Sequence, residues 1–434
     1  MTLAGPFVEA LSKKKGTTVR YLLPFKIAGT VLIFFSTVFC SVVPSQAQTT
    51  YTVTDLGVAA NGAIETNASD VNNRGVAAAV TIVSFFPVFE EIGFVSQNGQ
   101  VTAVPSLGGQ FTFAAAINDS GIVAGSANFA GDTISHASIW DRDLNRVTDL
   151  GTLGGSSSAA LWLNERNQVV GDSGTANGID VHAFLWDEGN LVDLGTLGGS
   201  TSFATGINNN GLIVGQSDTT LVLDPEFGIP TFHGFRWDGG VLKDLGEIFG
   251  GHFNYAEAAN DRGDIVGGAD LAEDLTGHAF IIRNGSIIDL GTVPGDTNSA
   301  AFGVNNRGQA VGISALSFIP PPSPPVDNFE CPCHAVIWQD GKATDLNTLI
   351  PSNSGWQLIN AVAINDRGQI VGSGAFNNES RAYLLTPQSG PAAPSAENGA
   401  NANSASTLSS SSATGISSVR VTIVNGRPHT VWGR

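Results

Sequence analysis

The stretch VHAFLWDEGNLVDLGTLGGSTSFATGINNNGLIVG, residues 181–215, contains every part of a unit that recurs along the chain. Its apolar residues form four short runs, and Gly or Asn stands at the turns between them. Alternating apolar residues between such turns are typical of β-strands joined by tight hairpins. No segment shows a sustained 3.6-residue apolar period, which would indicate an amphipathic helix. The unit is therefore predicted to be four short strands.

An Asn followed by a nearby Gly marks the hairpin between the first and second strands of the unit. This Asn occurs seven times, at steps of 46, 46, 44, 52, 45 and 60 residues: Asn72, Asn118, Asn164, Asn208, Asn260, Asn305 and Asn365. An alanine stands four residues before each of them. We expect Asn and Gly to recur because both accept the positive φ of tight hairpins.

Four-stranded units of roughly 40–50 residues are the signature of a β-propeller blade, so seven copies predict an all-β, seven-bladed β-propeller. The chain opens with a lone fourth strand, YTVTDLG (51–57), and its repeats end with a lone third strand, RAYLL (381–385). We therefore predict that the N-terminal strand pairs with the last blade and closes the ring. A straight solenoid is the alternative, but it would need polar capping units, and none is apparent.

A His in the third strand and an Asp in the fourth recur eleven residues apart in four copies and thirteen apart in another. With Glu188-Gly189 as the turn, Phe184 faces Asp193 and His182 faces Gly195, so the His and Asp are diagonal neighbours on one face. We predict structural pairs buried between blades, with no catalytic role. They are His136–Asp149, His182–Asp193, His233–Asp244, His278–Asp289, His334–Asp345 and, across the closure, Arg381–Asp55.

Residues 1–47 are predicted to be an export signal, because five basic residues precede an apolar run at 27–43 and Ala47 offers a small residue for cleavage. A retained membrane anchor is the alternative, since 17 apolar residues are at the short limit for a spanning helix. The protein is therefore expected to be secreted or periplasmic, and to contact a membrane only if this segment is retained.

The charge of the chain excludes nucleic acid as a partner. Removing five basic residues and one acid from the 20 basic and 38 acidic ones leaves 15 and 37, a net charge of −22. Such a surface repels phosphate backbones and anionic lipids. Only two of the three cysteines would remain, so no disulfide framework is predicted.

Three long connections are predicted on one face of the propeller, at 80–91, 218–232 and 314–333. Exposed aromatic and aliphatic side chains on loops of a rigid scaffold indicate an interaction surface, although the same side chains can also fold back as local plugs. The candidate binding residues are Phe85, Phe86, Phe89, Leu223, Phe227, Phe318 and Phe329.

The chain contains no GxSxG, HExxH or phosphate-loop motif, and nothing in it indicates a cofactor. CPCH (331–334) falls short of four metal ligands, so no metal site is predicted. We therefore expect a binding protein whose partner is an extracellular protein or glycan. A glycan hydrolase or lyase with its site in the central channel, which would need converging carboxylates, and a purely structural envelope component are the alternatives.

The units HAFLW…DLGTLGG and INNNGLIVG resemble the extracellular repeat family named for its His-Ala-Phe (HAF) tripeptide. The resemblance covers residues 51–386 and implies an exported repeat protein, without an activity to transfer. The strand order is also similar to that of kelch propellers, whose first strand lines the channel. We place the propeller at 48–386, a Ser/Ala/Asn-rich linker at 387–418, and a short hairpin or disordered tail at 419–434.

Overall fold

The computed structural model of the chain describes residues 49–84, 90–223, 230–272, 276–316, 333–377, 379–388, 419–424 and 427–432. Its regular structure is β-strand, together with a 3₁₀ helix at Leu346–Leu349. The predicted export signal and residues 389–418 of the predicted linker lie outside the described residues. Within the described part, no helix has the length and apolar character to cross a membrane.

Each sequence repeat forms antiparallel strands that pair in chain order. In the first three repeats these strands are β2 (Glu65–Val71), β3 (Ala77–Ser84), β4 (Glu90–Gln97), β5 (Gln100–Ala103), β6 (Gly108–Ile117), β7 (Ile122–Phe129), β8 (Ser135–Asp141), β9 (Arg146–Gly151), β10 (Gly154–Leu163), β11 (Val169–Thr175), β12 (Val181–Asp187) and β13 (Asn190–Gly195).

The remaining repeats are built in the same way. Their strands are β14 (Gly198–Ile207), β15 (Ile213–Leu223), β16 (Pro230–Asp238), β17 (Val241–Asp244), β18 (Gly250–Ala259), β19 (Ile265–Leu271), β20 (Gly277–Arg283), β21 (Ser286–Asp289), β22 (Asn298–Val304), β23 (Ala310–Ala315), β24 (Cys333–Gln339), β25 (Lys342–Asp345), β26 (Trp356–Ile364), β27 (Ile370–Phe376) and β28 (Glu379–Pro387).

The last repeat takes its fourth strand from the other end of the chain. Strand β1 (Tyr51–Asp55) pairs antiparallel with β28, from Tyr51 opposite Pro387 to Asp55 opposite Tyr383. The backbone pairing extends past both ends, because Leu56 N donates to Ala382 O at 3.0 Å and Gln388 N donates to Thr50 O at 2.8 Å. The order of this sheet is β1-β28-β27-β26.

The hydrophobic core is divided among the junctions between consecutive repeats. At the junction of the third and fourth repeats, Val170 and Ala183 pack in one cluster with Ile213 and Phe235. Equivalent clusters join the other neighbouring repeats. A further cluster joins the last repeat to the first, since Ala363 and Val371 pack with Ala68 and Phe94.

The alanine four residues before each Asn lies where two strands approach closely. Ala204, for example, is fully buried and pairs with Gly215 across the first hairpin. A Cβ placed on Gly215 would lie 1.9 Å from Phe203 O, so only glycine fits there. The recurrence of alanine is thus a packing requirement, because larger side chains in such a contact force the strands apart.

Two details of the predicted strands were wrong. Phe184 does face Asp193, but a β-bulge between Ala183 and Phe184 places Ala183, not His182, opposite Gly195. The strands also extend into two of the predicted loops, because β3 reaches Ser84 and β15 reaches Leu223. The β-branched and aliphatic residues at those positions suit a strand better than a loop.

Near the C-terminus, β29 (Val419–Val424) and β30 (Arg427–Trp432) pair as a two-stranded antiparallel hairpin. Its strand pairing runs from Val419 opposite Trp432 to Val424 opposite Arg427. A hairpin of this size is marginally stable by itself in water.

Candidate functional site

The strand directions divide the connections between two faces. The turns after the first and third strands lie on one side, here called the turn face, and the connections after the second and fourth strands lie on the other, here called the loop face. On the turn face, residues from all seven repeats line one cavity of about 150 Å³, here called the throat. Among the described residues, the throat is the place where every repeat contributes side chains.

An inner ring of asparagines surrounds the throat. The side-chain Nδ2 of each repeat's Asn donates to the backbone carbonyl of the Asn in the next repeat, at 2.7–3.3 Å. The series continues from the last repeat to the first, because Asn365 Nδ2 donates to Asn72 O at 2.8 Å. The members are Asn72, Asn118, Asn164, Asn208, Asn260, Asn305 and Asn365, and all are buried.

This bonding corrects the expectation for the repeated Asn. None of the seven has a positive φ, whereas the residue three positions later does; it is Gly in six repeats, such as Gly211 at φ 86°, and Asn167 in the third. Instead, Asn208 Oδ1 accepts from Asn210 N and Leu212 N within its own turn, while Nδ2 reaches the next repeat. Aspartate would supply only acceptors, so both halves of the amide are required. The sequence pattern therefore marks the junctions as well as the turns.

An outer ring is formed by the residue that follows each Asn. Each backbone N–H in this ring donates to the side-chain oxygen of the equivalent residue in the next repeat, at 2.7–3.0 Å. The series again returns to its start, where Asp366 N donates to Asn73 Oδ1 at 2.9 Å. Its members are Asn73, Asp119, Glu165, Asn209, Asp261, Asn306 and Asp366.

This convergence of carboxylates was not predicted from the sequence. The signal was present, since the residue after every ring Asn is Asn, Asp or Glu. Burial raises the pKa of Glu165, and the charges of Asp119 and Asp261 raise it further, against the lowering effects of the Asp119 backbone N–H and of Arg74. The carboxylates belong to the junctions, because each accepts hydrogen bonds from a neighbouring repeat.

Four of the six predicted His/Arg–Asp pairs are within hydrogen-bond distance. The His Nδ1 and Asp carboxylate are 2.9–3.0 Å apart in His136–Asp149, His182–Asp193, His233–Asp244 and His278–Asp289. They are not buried as expected, since the Asp side chains are 37–45% exposed. Each Asp also accepts from the backbone N–H of the Gly two residues later, at 2.7–2.8 Å.

The other two predicted pairs were wrong. His334 Nδ1 lies 2.9 Å from Asp296 Oδ2, in the connection before its own repeat, while Asp345 caps the 3₁₀ helix by accepting from Asn347 N. Arg381 bonds Glu379 in its own strand, and Asp55 accepts from Gly57 N at 2.8 Å. Arg381 thus bonds a carboxylate nearer in the chain, whereas His334 bonds one that is 38 residues away.

A polar clasp, not predicted from the sequence, joins neighbouring repeats near the loop face. Ser202 Oγ accepts from Ala183 N at 2.8 Å and donates to Gly195 O at 2.7 Å, both in the preceding repeat. The equivalent side chains that make the same two bonds are Thr112, Ser158, Asn254 and Ser299. The position is occupied by Ile359 in the last repeat and by Thr66 in the first.

The first repeat carries an unusual buried carboxyl group beside this position. Glu65 is 1% exposed, and burial raises its pKa to about 8, against the lowering effect of a hydrogen bond from Asn67 Nδ2. Neither Glu65 Oε2 nor Thr66 Oγ1 has a hydrogen-bond partner within the described part of the chain. Asn67 Oδ1 accepts from Ser373 Oγ, so this group faces the last repeat.

The candidate binding residues on the three long connections are only partly covered. Phe85, Phe86, Phe89, Phe227, Phe318 and Phe329 lie outside the described residues, and Leu223 is described only as the end of β15. Cys331 also lies outside the described residues, whereas Cys333 is buried and disulfide-bonded. No group of three or more His, Cys, Asp and Glu side chains in the described part is arranged to hold a metal ion.

Comparisons with known proteins assign the chain to no family. No family model matches the sequence, and no curated protein matches it. The chain is similar to the β-propeller domain of the Trilobed protease from Pyrococcus furiosus, with 13% identity, a TM-score of 0.49, and coverage of 74% of this chain and 94% of that one. The fold assignment itself rests on the strand pairing and on the hydrogen bonds around the throat.

Two enzymes are also similar in structure. A gluconolactonase from Xanthomonas campestris has 11% identity and a TM-score of 0.37, over 78% of this chain and 90% of that one. A Trypanosoma rangeli sialidase has 10% identity and a TM-score of 0.36, over 76% of this chain and 55% of that one. Similarity at this level transfers neither activity nor substrate.

Proposed function

We propose that the chain is an exported seven-bladed β-propeller, closed by its N-terminal strand, that binds an extracellular protein or glycan through its loop face. The observation that carries the proposal is that both hydrogen-bonded rings return from the seventh repeat to the first. The apolar cluster between those repeats supports the same arrangement, because an open array of seven units would have only six such junctions. A closed ring is a rigid scaffold for binding loops.

Binding is favoured over catalysis by what the titratable groups do. Each His–Asp pair occupies an equivalent place in its repeat, and each Asp is held by the backbone N–H of a nearby Gly, as Asp193 is by Gly195. Repetition around a ring is what a structural role requires, whereas a catalytic site requires one repeat to differ. Membership of the HAF-repeat family and export from the cell belong to this proposal, and rest on the repeat motifs and on the basic and apolar segment at 1–47.

The alternative function is a propeller hydrolase or lyase at the channel. The convergence of Asp119, Glu165, Asp261 and Asp366 on the throat favours it, because glycoside hydrolysis uses a pair of carboxyl groups. Against it, these carboxylates accept hydrogen bonds from adjacent repeats and lie opposite the long connections. Glycan turnover that is lost in Glu165→Gln, with the melting temperature unchanged, would support the enzyme and contradict the binding proposal.

The test of binding is a screen of glycans and extracellular proteins against the full chain and a variant in which a short turn replaces 317–332. We expect partner binding to weaken in the shortened variant. The matched control is Asp340→Asn, in the turn-face hairpin of the same repeat, which should bind as the unchanged chain does. Equal binding by the shortened variant would remove the long connection from the proposal, and equal loss in both variants would indicate a general disturbance of the repeat.

A further inference from the structure

The loop face of the second and third repeats is the part of that face described without gaps, and it carries two exposed aliphatic side chains. Ile134 is 44% exposed and Ile179 is 81% exposed. Both lie in the connection between the second and third strands of their repeat, and one apolar cluster joins the two repeats. Exposed apolar side chains on the same face of adjoining repeats are candidates for an interaction surface.

These side chains are held by ordered loops. Asn177 Oδ1 accepts from the backbone N–H groups of Ile179 and Asp180 at 2.9 Å, and Asn177 Nδ2 donates to Asp180 at 2.6 Å. In the neighbouring repeat, Asp132 accepts from Gln110 N at 2.7 Å. A surface that is already ordered loses little conformational entropy when it binds.

The charges around the two isoleucines all have one sign. Asp132, Asp149, Asp180 and Asp193 lie on this side of the second and third repeats, and no Lys or Arg does. The three basic residues of the same repeats, Arg142, Arg146 and Arg166, all belong to the turn face. Complementary potentials select partners and guide their approach, so this surface attracts cations and repels anions.

We propose that the loop face of the second and third repeats, defined by Ile134, Ile179 and the four aspartates around them, docks a polypeptide segment in which Lys or Arg alternates with apolar residues. The inference rests on the proposed binding function and names the chemistry of the partner. The apolar residues of the segment cover Ile134 and Ile179, and its cations lie beside Asp132 and Asp180. Part of each aspartate stays in water, so the charges contribute mainly to selectivity.

The test measures the affinity of the full chain for a short synthetic peptide that alternates Lys and Leu. Two comparison peptides replace Lys by Glu or Leu by Ser. We expect the Lys–Leu peptide to bind, the Glu–Leu peptide not to bind, and the Lys–Ser peptide to bind at least about tenfold more weakly, as loss of apolar contacts predicts. Equal affinity for the Glu–Leu peptide would overturn the inference.

Matched variants locate the site. Ile179→Ser should weaken binding of the Lys–Leu peptide by about tenfold, and Asp180→Lys by about threefold. Their controls lie on the turn face: Leu144→Ser, which replaces a side chain that is 66% exposed, and Asp143→Lys. The controls should bind as the unchanged chain does, and all four variants should keep its melting temperature. Unchanged affinity in Ile179→Ser and Asp180→Lys would overturn the inference.

The same measurements separate this inference from the proposed function. The screen can identify a partner whose binding is lost when 317–332 is shortened but retained in Ile179→Ser and Asp180→Lys. That result would support the proposed loop-face function and overturn the inference. If Leu144→Ser and Asp143→Lys lost binding of the Lys–Leu peptide, the binding site would lie on the turn face. That result would contradict both the inference and the proposed function.

Discussion

The junction between the third and fourth repeats and the junction between the seventh and first are built from different parts. At the former, the Ser202 clasp bonds the preceding repeat, and His182 lies 2.9 Å from Asp193. At the latter, Thr66 Oγ1 has no partner among the described residues, Glu65 is a buried acid, and β1 arrives from the far end of the chain. The inner ring of asparagines is common to both junctions.

This difference shows which interactions are common to all junctions and which occur at only some of them. Hydrogen bonds of the inner ring and an apolar cluster occur at every junction, so they set how each repeat packs on the next. The clasp is absent from the closing junction and also from the junction between the sixth and seventh repeats, where Ile359 occupies its position. The pairing of β1 with β28 joins the two ends of the chain within the last repeat. We expect the pairing of β1 with β28 to form late in folding, because the paired residues are separated by more than 300 positions.

The largest expected effect comes from removing the closing strand. A chain that starts at residue 58 loses Tyr51 and Leu56 from the core and leaves β28 as an unpaired edge. Burial of two large apolar side chains and the lost backbone bonds predict a decrease of about 5 kcal/mol in the free energy of unfolding. Denaturant titration measures it, with a chain that starts at residue 48 as the control. Equal midpoints for the two chains would show that β1 does not contribute to closure.

The next effect tests the ring that both junctions share. Asn208→Asp keeps the acceptors of the turn but removes the Nδ2 that bonds Asn260 O at 2.7 Å, and places a carboxylate against that carbonyl. An unsatisfied buried carbonyl and an unpaired buried charge predict a loss of about 4 kcal/mol. Asn98→Asp, in an exposed hairpin, is the control and should be neutral. A stable Asn208→Asp protein would mean that the turn, and not the ring, determines the Asn.

The buried acid at the closing junction makes a prediction about pH. Unfolded Glu65 loses its proton near its usual pKa of 4.5, whereas the folded protein holds it up to about 8. The folded state therefore binds more protons between these values, and its stability falls as pH rises from about 4.5 to 8. Glu65→Gln lacks this penalty, so it should be more stable than the unchanged chain by about 3 kcal/mol at pH 7 and similar to it at pH 4.

Unfolding midpoints of both chains across this pH range measure the effect. Burial also raises the pKa of Glu91 and of Asp172 to about 7, but both remain in the variant and cancel in the comparison. A constant difference between Glu65→Gln and the unchanged chain from pH 4 to pH 8 would be incompatible with a titrating Glu65.

The smallest effect separates the two kinds of junction directly. Ser202→Ala leaves Ala183 N and Gly195 O without their clasp, which predicts a loss of about 2 kcal/mol. Thr66→Val occupies the equivalent position at the closing junction and removes a hydroxyl without a described partner, so it should be neutral or stabilising. Melting curves of the two variants measure these effects. Equal losses of stability would contradict the proposed difference between the junctions.

The sequence predicts the strands and the repeat well, because period-two alternation and turns rich in Asn and Gly are local signals. It could not reveal the throat, because the rings depend on residues such as Asn208 and Asn260 that are brought together only by the arrangement of the repeats. The His334 and Arg381 partners were wrong for a related reason. Each has a second carboxylate within reach, and spacing alone cannot choose between two acceptors.

Cross-linking of the two chain ends tests the central claim, closure of the ring, most directly. Thr52 is exposed, Thr386 is half-buried, and the two lie opposite each other in the β1–β28 pair. In the Thr52→Cys, Thr386→Cys chain, a closed ring predicts an intramolecular disulfide that forms under native conditions and is found as a linked peptide by mass spectrometry. A control with Thr52→Cys and Ser120→Cys should give no such link. Free thiols, or links only between chains, in the first variant would contradict a ring closed by the N-terminal strand.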